Sequence, residues 1–313
     1  MRIIFAGTPE FSVPTLKTLI ASEHEVVAVY TQPDKASGRG QQIQMSPVKQ
    51  CALEHNIPVY QPVSLKNLDE QEFLKSLKPD LMIVVAYGLI LPPAVLETPT
   101  IDCINIHASL LPRWRGASPI QQAILAGDKK TGVCIMRMEA GLDTGPVFAK
   151  SECDILASDT AQTLHDRLSL LGAETLLQVL SHIHAITPEK QSEDGVSYAG
   201  KISKKDGLID WNKTAWEISC QARAFNPWPV AYFYIDEQYI RVWEGICFSN
   251  ENSNAIPGTI LHVNPEGIDV AAGQQSIFRI TRCQLANSKV LPVKECLNAA
   301  RSLFVVGKQL IAT

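Results

Sequence analysis

Leu81-Met-Ile-Val-Val-Ala86 is the most apolar strand candidate in the chain, and reading it as a buried strand decides the fold class. Upstream, Arg2-Ile-Ile-Phe-Ala6 reads as another buried strand and Gly7-Thr-Pro9 as the turn into a helix, with Thr8 as its cap and Pro9 in its first position. Val26-Val-Ala-Val-Tyr30 and the short Val59-Tyr60 add two strands, and Ile101 to His107 and Thr131 to Met138 add two more. Helices are expected over Val48 to Asn56, in the Glu- and Lys-rich stretch before Leu81, over Ser118 to Ala126 and over Thr160 to His184. Short apolar strands alternating with helices predict an α/β domain, Rossmann-like, with a mostly parallel sheet. Gln32 to Lys49 is polar and carries Pro33, Gly38, Gly40 and Pro47, so it reads as a long loop of the functional or mobile kind.

Further on, the pattern changes. Between Thr187 and Asp206 the chain turns polar, as linkers do. Past Gly207 come short strands with turn residues, Ala231-Tyr-Phe-Tyr-Ile235, Tyr239-Ile-Arg-Val-Trp243, Pro257-Gly-Thr-Ile-Leu261 and Gly267-Ile-Asp-Val-Ala271. They predict a smaller OB-like β-barrel domain with one helix near Trp216 to Phe225. The expected organisation is therefore a catalytic domain over 1–188, a linker over 189–206 and a second domain over 207–313, which suits a length of 313 residues.

Composition excludes several classes. With 46% hydrophobic and 19% charged residues the chain is folded rather than disordered. No apolar run approaches the roughly 20 residues of a membrane span. Met1-Arg-Ile-Ile-Phe5 enters a strand directly, so no signal peptide is expected and a cytoplasmic location is. Eight cysteines are scattered singly without a C-x-x-C pair, which argues for reduced thiols over a zinc ribbon or redox dithiol. Gly7-Thr-Pro is not a dinucleotide fingerprint and no P-loop exists, so NAD and ATP sites are disfavoured. His182 and His184 lack the i, i+4 spacing of a helical metal pair, and no metal is expected. Nothing demands a dimer, so a monomer is expected.

The chemistry concentrates in Cys103-Ile-Asn-Ile-His-Ala-Ser-Leu-Leu-Pro-Arg-Trp-Arg-Gly116, answered by Gly141-Leu-Asp-Thr-Gly145. In a strand, Asn105 and His107 point to one face, and Ser109 and Pro112 stop the strand just beyond them. Both then lie at a strand's carboxyl end, with Gly7 and Tyr87-Gly88, where α/β sheets bind ligands. Asp143, in a loop between glycines, can be brought close. An amide donor, an imidazole and a carboxylate form a kit for acyl transfer through a tetrahedral oxyanion. An isolated Asn-x-His on an apolar strand reads as a structural pair; the two flanking motifs turn the reading to catalysis. The backbone around Ala86 and Tyr87 could offer hydrogen bonds to a ligand ring. For a polyanion the candidates are Lys35 and Arg39 in the loop, Lys201, Lys204 and Lys205 in the linker, and Arg223. Each alone reads as solvated surface; together they suit contacts to phosphates.

These motifs resemble the folate-dependent formyltransferases: Asn105-Ile-His107, Ser109-Leu-Leu-Pro112 and Gly141-Leu-Asp-Thr-Gly145 carry the likeness in the N-terminal half. Gln32-Pro-Asp-Lys-Ala-Ser-Gly-Arg-Gly40, ending in Ser46-Pro-Val-Lys49, is similar to the tRNA-contacting insertion of the members that act on methionyl-tRNA, and Arg223-Ala-Phe-Asn-Pro-Trp-Pro229 to the opening of their C-terminal domain. Ala108 stands where many members carry glycine. The resemblance implies formyl transfer from 10-formyltetrahydrofolate to the α-amino group of methionine on initiator methionyl-tRNA. It implies Asn105, His107 and Asp143 as catalytic residues, with the proton roles of the last two left open. Ser109, Leu110, Leu111 and Pro112 would hold the folate, joined by Ala86 and Tyr87. Rivals are an enzyme formylating a sugar-nucleotide amine, a hydrolase releasing formate, and a catalytically silent RNA-binding protein.

Overall fold

The computed structural model describes residues 1–37, 42–249 and 254–310. The chain divides into two compact units, one of residues 1–119, 130–154 and 165–199, the other of 120–129, 155–164 and 200–313. The sequence reading drew its division at 188 and 207 and did not assign the two short excursions to the second unit.

In chain order the first unit's strands begin with β1 (Arg2–Gly7), β2 (Glu25–Tyr30), β3 (Lys35–Ser37), β4 (Gln42–Gln44), β5 (Val59–Tyr60) and β6 (Leu81–Val85). They continue with β7 (Asp102–His107), β8 (Arg115–Gly116), β9 (Lys130–Arg137), β10 (Val147–Asp154) and β11 (Tyr198–Ala199). Its helices are α1 (Val13–Ile20), α2 (Pro47–Glu54), α3 (Leu68–Ser76) and α4 (Pro93–Leu96); next in the chain come α5 (Pro119–Leu125), which past Pro119 belongs to the second unit, and α6 (Ala161–Leu180), which belongs to the first from His165 onward. Seven strands form one sheet in the order β10-β9-β7-β6-β1-β2-β5. Pairing is parallel from β7 across to β5 and antiparallel where β9 joins β7 and β10 joins β9. The apolar runs of β1 and β6 are buried along their length because they lie in the middle of this sheet. Each fully buried Ile, Leu or Phe there contributes about 1.5–3 kcal/mol. The edge strand β10 alternates instead, with one face open.

After β1 the chain turns to β2 on one side, and β6 later pairs on the other. Gly7 and Val85 stand in register at the carboxyl ends, which makes this the switch point where doubly wound sheets bind ligands. The turn after Gly7 differs from expectation. Residues Glu10–Ser12 form a single 3-10 turn, and α1 starts only at Val13 with Pro14 in its first turn. Thr8 does not cap a helix: its hydroxyl donates to the Tyr87 carbonyl (2.9 Å), and that of Ser12 donates to the Val85 carbonyl (2.6 Å). Within the expected loop, β3 and β4 pair as a hairpin, and Ser46 caps α2 by accepting from the Lys49 amide (3.0 Å).

The second unit contains α7 (Ala215–Ala224), β12 (Ala231–Ile235), β13 (Gln238–Ser249), β14 (Ile260–Asn264), β15 (Gly267–Ala271), β16 (Ile277–Gln284), β17 (Leu291–Pro292) and α8 (Val293–Ala300). Its sheet runs β12-β13-β16-β15-β14, antiparallel throughout, with β17 on β16. This is the smaller β domain expected. Phe233, Phe278 and Trp211 meet in its core, so Trp211 packs the domain. Thr214 and Glu217 cap α7 reciprocally, which explains why a helix starts there. No helix among the described residues is long and apolar enough to cross a membrane.

Candidate active site

Asn105 and His107 occupy β7 two residues apart, hence on one face, with Asn105 opposite Val84 and Met136 and His107 opposite Cys134. The amide of Asn105 is half-buried and has no hydrogen-bond partner among the described residues. His107 is only 5% exposed, and its Nε2 lies 2.9 Å from the Trp114 carbonyl oxygen. A carbonyl can only accept, so Nε2 carries the hydrogen and the Nδ1 lone pair is the free face of the neutral ring. Nδ1 faces Asp143 Oδ2 at 3.6 Å, an ion-pair distance once the ring is protonated and too long for a hydrogen bond.

Asp143 reaches this position from an exposed loop. Its φ is +51°, a conformation Asp tolerates better than most side chains. Gly145 allows the loop to close: a Cβ there would stand 2.0 Å from the Arg137 carbonyl oxygen. The carboxylate is held by the main chain, Oδ2 accepting from the Gly116 amide at 2.8 Å. Gly116 has φ +117°, and a Cβ there would meet the Ala199 carbonyl oxygen at 2.6 Å. Asn105, His107 and Asp143 are thus brought together at the end of β7.

The expected folate residues separate into two groups. Ser109 is fully buried and its hydroxyl donates to the Arg113 carbonyl (2.6 Å), which ties the turn that presents Trp114 to His107. Leu111 is buried with Cys134, Met136 and Val147; its amide donates to Cys134 Sγ (3.3 Å), and its carbonyl accepts from Lys150. Tyr87 is buried too, and its carbonyl accepts from Thr8 and from Gln32 Nε2 (3.1 Å). Ala86 is exposed at the end of β6, and Leu110 and Pro112 are half-buried. Burial pushes the Cys134 thiol up to about 11, so it stays neutral beside this turn.

Among the basic candidates, Lys35 donates to Gln32 Oε1, and Arg39 lies outside the described residues. Lys201, Lys204 and Lys205 are exposed, the last two in a 3-10 turn capped by Ser203 and Asp206. Arg223 is engaged: its guanidinium donates to the Asp159 carbonyl (3.1 Å), contacts Cys220 Sγ (3.4 Å) and lies 5.8 Å from the Trp216 ring. All eight cysteines are free thiols, and no cluster of three or more metal-ligating residues occurs among the described residues. The sequence reading missed the main-chain partners, the Trp114 carbonyl and the Gly116 amide, because backbone groups leave no mark in residue identity.

The chain is 50% identical over 310 residues to a methionyl-tRNA formyltransferase of Coxiella burnetii, covering 98% of both chains. It is 52% identical over 301 residues to a methionyl-tRNA formyltransferase of Hydrogenovibrio crunogenus, covering 96% of both. Among solved structures, a variant of HypX from Aquifex aeolicus matches with a TM-score of 0.65 at 18% identity; 98% of this chain is covered, and it spans about half (48%) of HypX. The formyl transferase family model matches residues 1–180 and the formyl transferase C-terminal domain model residues 201–301. The chain belongs to the formyl transferase family.

Proposed function

We infer that this chain transfers the formyl group of 10-formyltetrahydrofolate to the α-amino group of methionine on initiator methionyl-tRNA. The observation that carries the reading is the Asn105 side-chain amide, unpartnered among the described residues, beside a histidine whose Nε2 is tied down and whose Nδ1 faces Asp143. Relatives half identical over nearly the whole chain bear the name of that activity.

The attacking amine must be neutral, and α-amino groups titrate near about pH 7.7–8.0. Its nitrogen bonds to the formyl carbon, and negative charge develops on the formyl oxygen. Asn105 supplies a donor to that oxygen without breaking a hydrogen bond to any described residue, the condition for preorganised stabilisation. His107 presents Nδ1 either to take the proton the amine loses or, once protonated, to donate while Asp143 stabilises the imidazolium. Returning that proton to N10 of the folate balances the step as the carbon–N10 bond breaks. Exposed Ala86 and half-buried Leu110 and Pro112 are proposed to touch the folate, and Ser109, Leu111 and Tyr87 to support the walls by the bonds already described.

On the tRNA side, Lys35, Arg39, Lys201, Lys204 and Lys205 are proposed to meet phosphates, and the engaged guanidinium of Arg223 to hold the second unit together. A monomeric, cytoplasmic protein is part of the same reading. The test mixes protein, 10-formyltetrahydrofolate and methionine-charged initiator tRNA, with uncharged and elongator tRNAs as controls. Formyl-methionine formed only with charged initiator tRNA is expected. Formate without transfer would point to a hydrolase, and neither product to a binding protein or another acceptor; each would overturn the reading.

A further inference from the structure

Residues 189–199, expected as linker, are a strap across the site's supporting loops. Glu189 and Val147 exchange two backbone hydrogen bonds (2.7 and 2.9 Å), and β11 pairs with β8. The Arg115 amide donates to the Ser197 carbonyl (2.9 Å), the Ala117 amide to the Ala199 carbonyl (2.8 Å), and the Trp114 amide to Ser197 Oγ (3.0 Å). Within the strap one polar side chain is turned inward. Gln191 is 8% exposed, and its Nε2 donates to the carbonyls of both Asp143 and Gly145, each at 2.8 Å. Its Oε1 accepts from Arg115 Nε (3.1 Å) and Nη2 (2.8 Å). Both amide hydrogens and both lone pairs therefore have partners, a full complement for this side chain.

We propose that Gln191 is the positioning residue for Asp143, fixing the carboxylate relative to His107. The Asp143 loop needs such a grip. Residues 139–142 are exposed, and Asp143 itself sits at positive φ. Gln191 holds the loop's main chain on either side of Thr144, while the Gly116 amide holds the carboxylate. Through Arg115 the same side chain also fixes the residue next to Gly116, so the two grips share one anchor. At 3.6 Å between Nδ1 and Oδ2, a displacement of about 1 Å removes the pairing, and misplacement of that size costs about 100-fold in rate.

The proposal rests on Asp143 acting in formyl transfer, and a double-mutant cycle on the full chain separates the two ideas. Gln191→Ala, Gln191→Glu, Asp143→Asn and the double variant Asp143→Asn/Gln191→Ala are compared for kcat, KM, the pH–rate profile and thermal melting. Gln191→Glu keeps the Arg115 contact and loses both donors to the loop. Expected for both Gln191 variants is a kcat lowered about 10- to 100-fold, KM for charged tRNA and folate within about twofold, and a displaced pH–rate limb. In the Asp143→Asn background the Gln191→Ala change should cost nothing further, because a residue acting only through Asp143 has nothing left to position. An equal loss in both backgrounds, or a lowered melting temperature with an unchanged pH profile, overturns the proposal and leaves the reaction standing. Full-rate transfer by Asp143→Asn would remove both.

Discussion

Asn105 bonds to nothing through its side chain among the described residues, so shortening it removes chemistry without removing a structural contact. Asn105→Ala is expected to lower kcat about 100- to 1000-fold, the scale of losing one oxyanion donor, with the melting temperature essentially unchanged. Steady-state kinetics beside a thermal melt check this; a rate loss that merely tracks a loss of folded protein would make Asn105 structural. At this scale the sequence was readable where function depends on side-chain type. Asn105 and His107 announce themselves by the period of a strand, and Asp143 by glycines on either side. What stayed hidden are their partners. The Trp114 carbonyl, which sets the His107 tautomer, and the Gly116 amide, which holds Asp143 from 27 positions away, belong to the backbone and are brought near only by the fold. The same holds for Gln191, 48 positions from Asp143 inside a polar run.

Strands were legible where burial is two-sided, as in β1, β2, β6 and β7, and less so at the edge. β10 alternates weakly, and the strap over 189–199 has a linker's composition although backbone hydrogen bonds pin it to β8 and Val147. α1 begins later than Gly7-Thr-Pro9 suggested because the Thr8 and Ser12 hydroxyls bind carbonyls near the end of β6 instead of capping. The β3–β4 hairpin has a definite base: Lys49 donates to Asp34 and to Gln61 Oε1 (2.7 Å), and Gln61 Nε2 donates to Asp34 Oδ1 (2.8 Å). These hydrogen bonds hold the Asp34 carboxyl below its ordinary value. A lowered folded value means the unfolded chain binds the proton first as pH falls. The contribution is therefore complete above the ordinary value of about 3.9 and is lost as pH drops through the folded value. Asp34→Asn should cost about 1 kcal/mol or less at pH 7, given partial solvent screening. The difference from wild type should shrink toward zero at the acid end of a series of urea melts, and a constant difference across pH would refute the assignment.

A composition-based division sees only contiguous stretches, which is why residues 120–129 and 155–164 were not foreseen as members of the second unit. Whole-molecule charge was equally uninformative: a net −4 gives no sign of a polyanionic substrate, so attraction must come from local groups. Lys204 and Lys205 are exposed neighbours in a capped 3-10 turn, free of hydrogen bonds to other described side chains, and so available to phosphates at little ordering cost. Because neither lysine has a hydrogen bond to Asn105, His107 or Asp143, their removal should act on binding and not on the chemical step. Lys204→Ala combined with Lys205→Ala is expected to raise KM for charged tRNA while kcat at saturation stays put. Each phosphate contact contributes about 0.7–0.9 to the slope of log affinity against log salt, so losing two should flatten that slope by about 1.4–1.8. Measuring kcat/KM for charged tRNA across a salt series reads both quantities. An unchanged slope would mean that these lysines meet no phosphate, whatever happens to KM; a changed kcat would mean that they reach the chemistry.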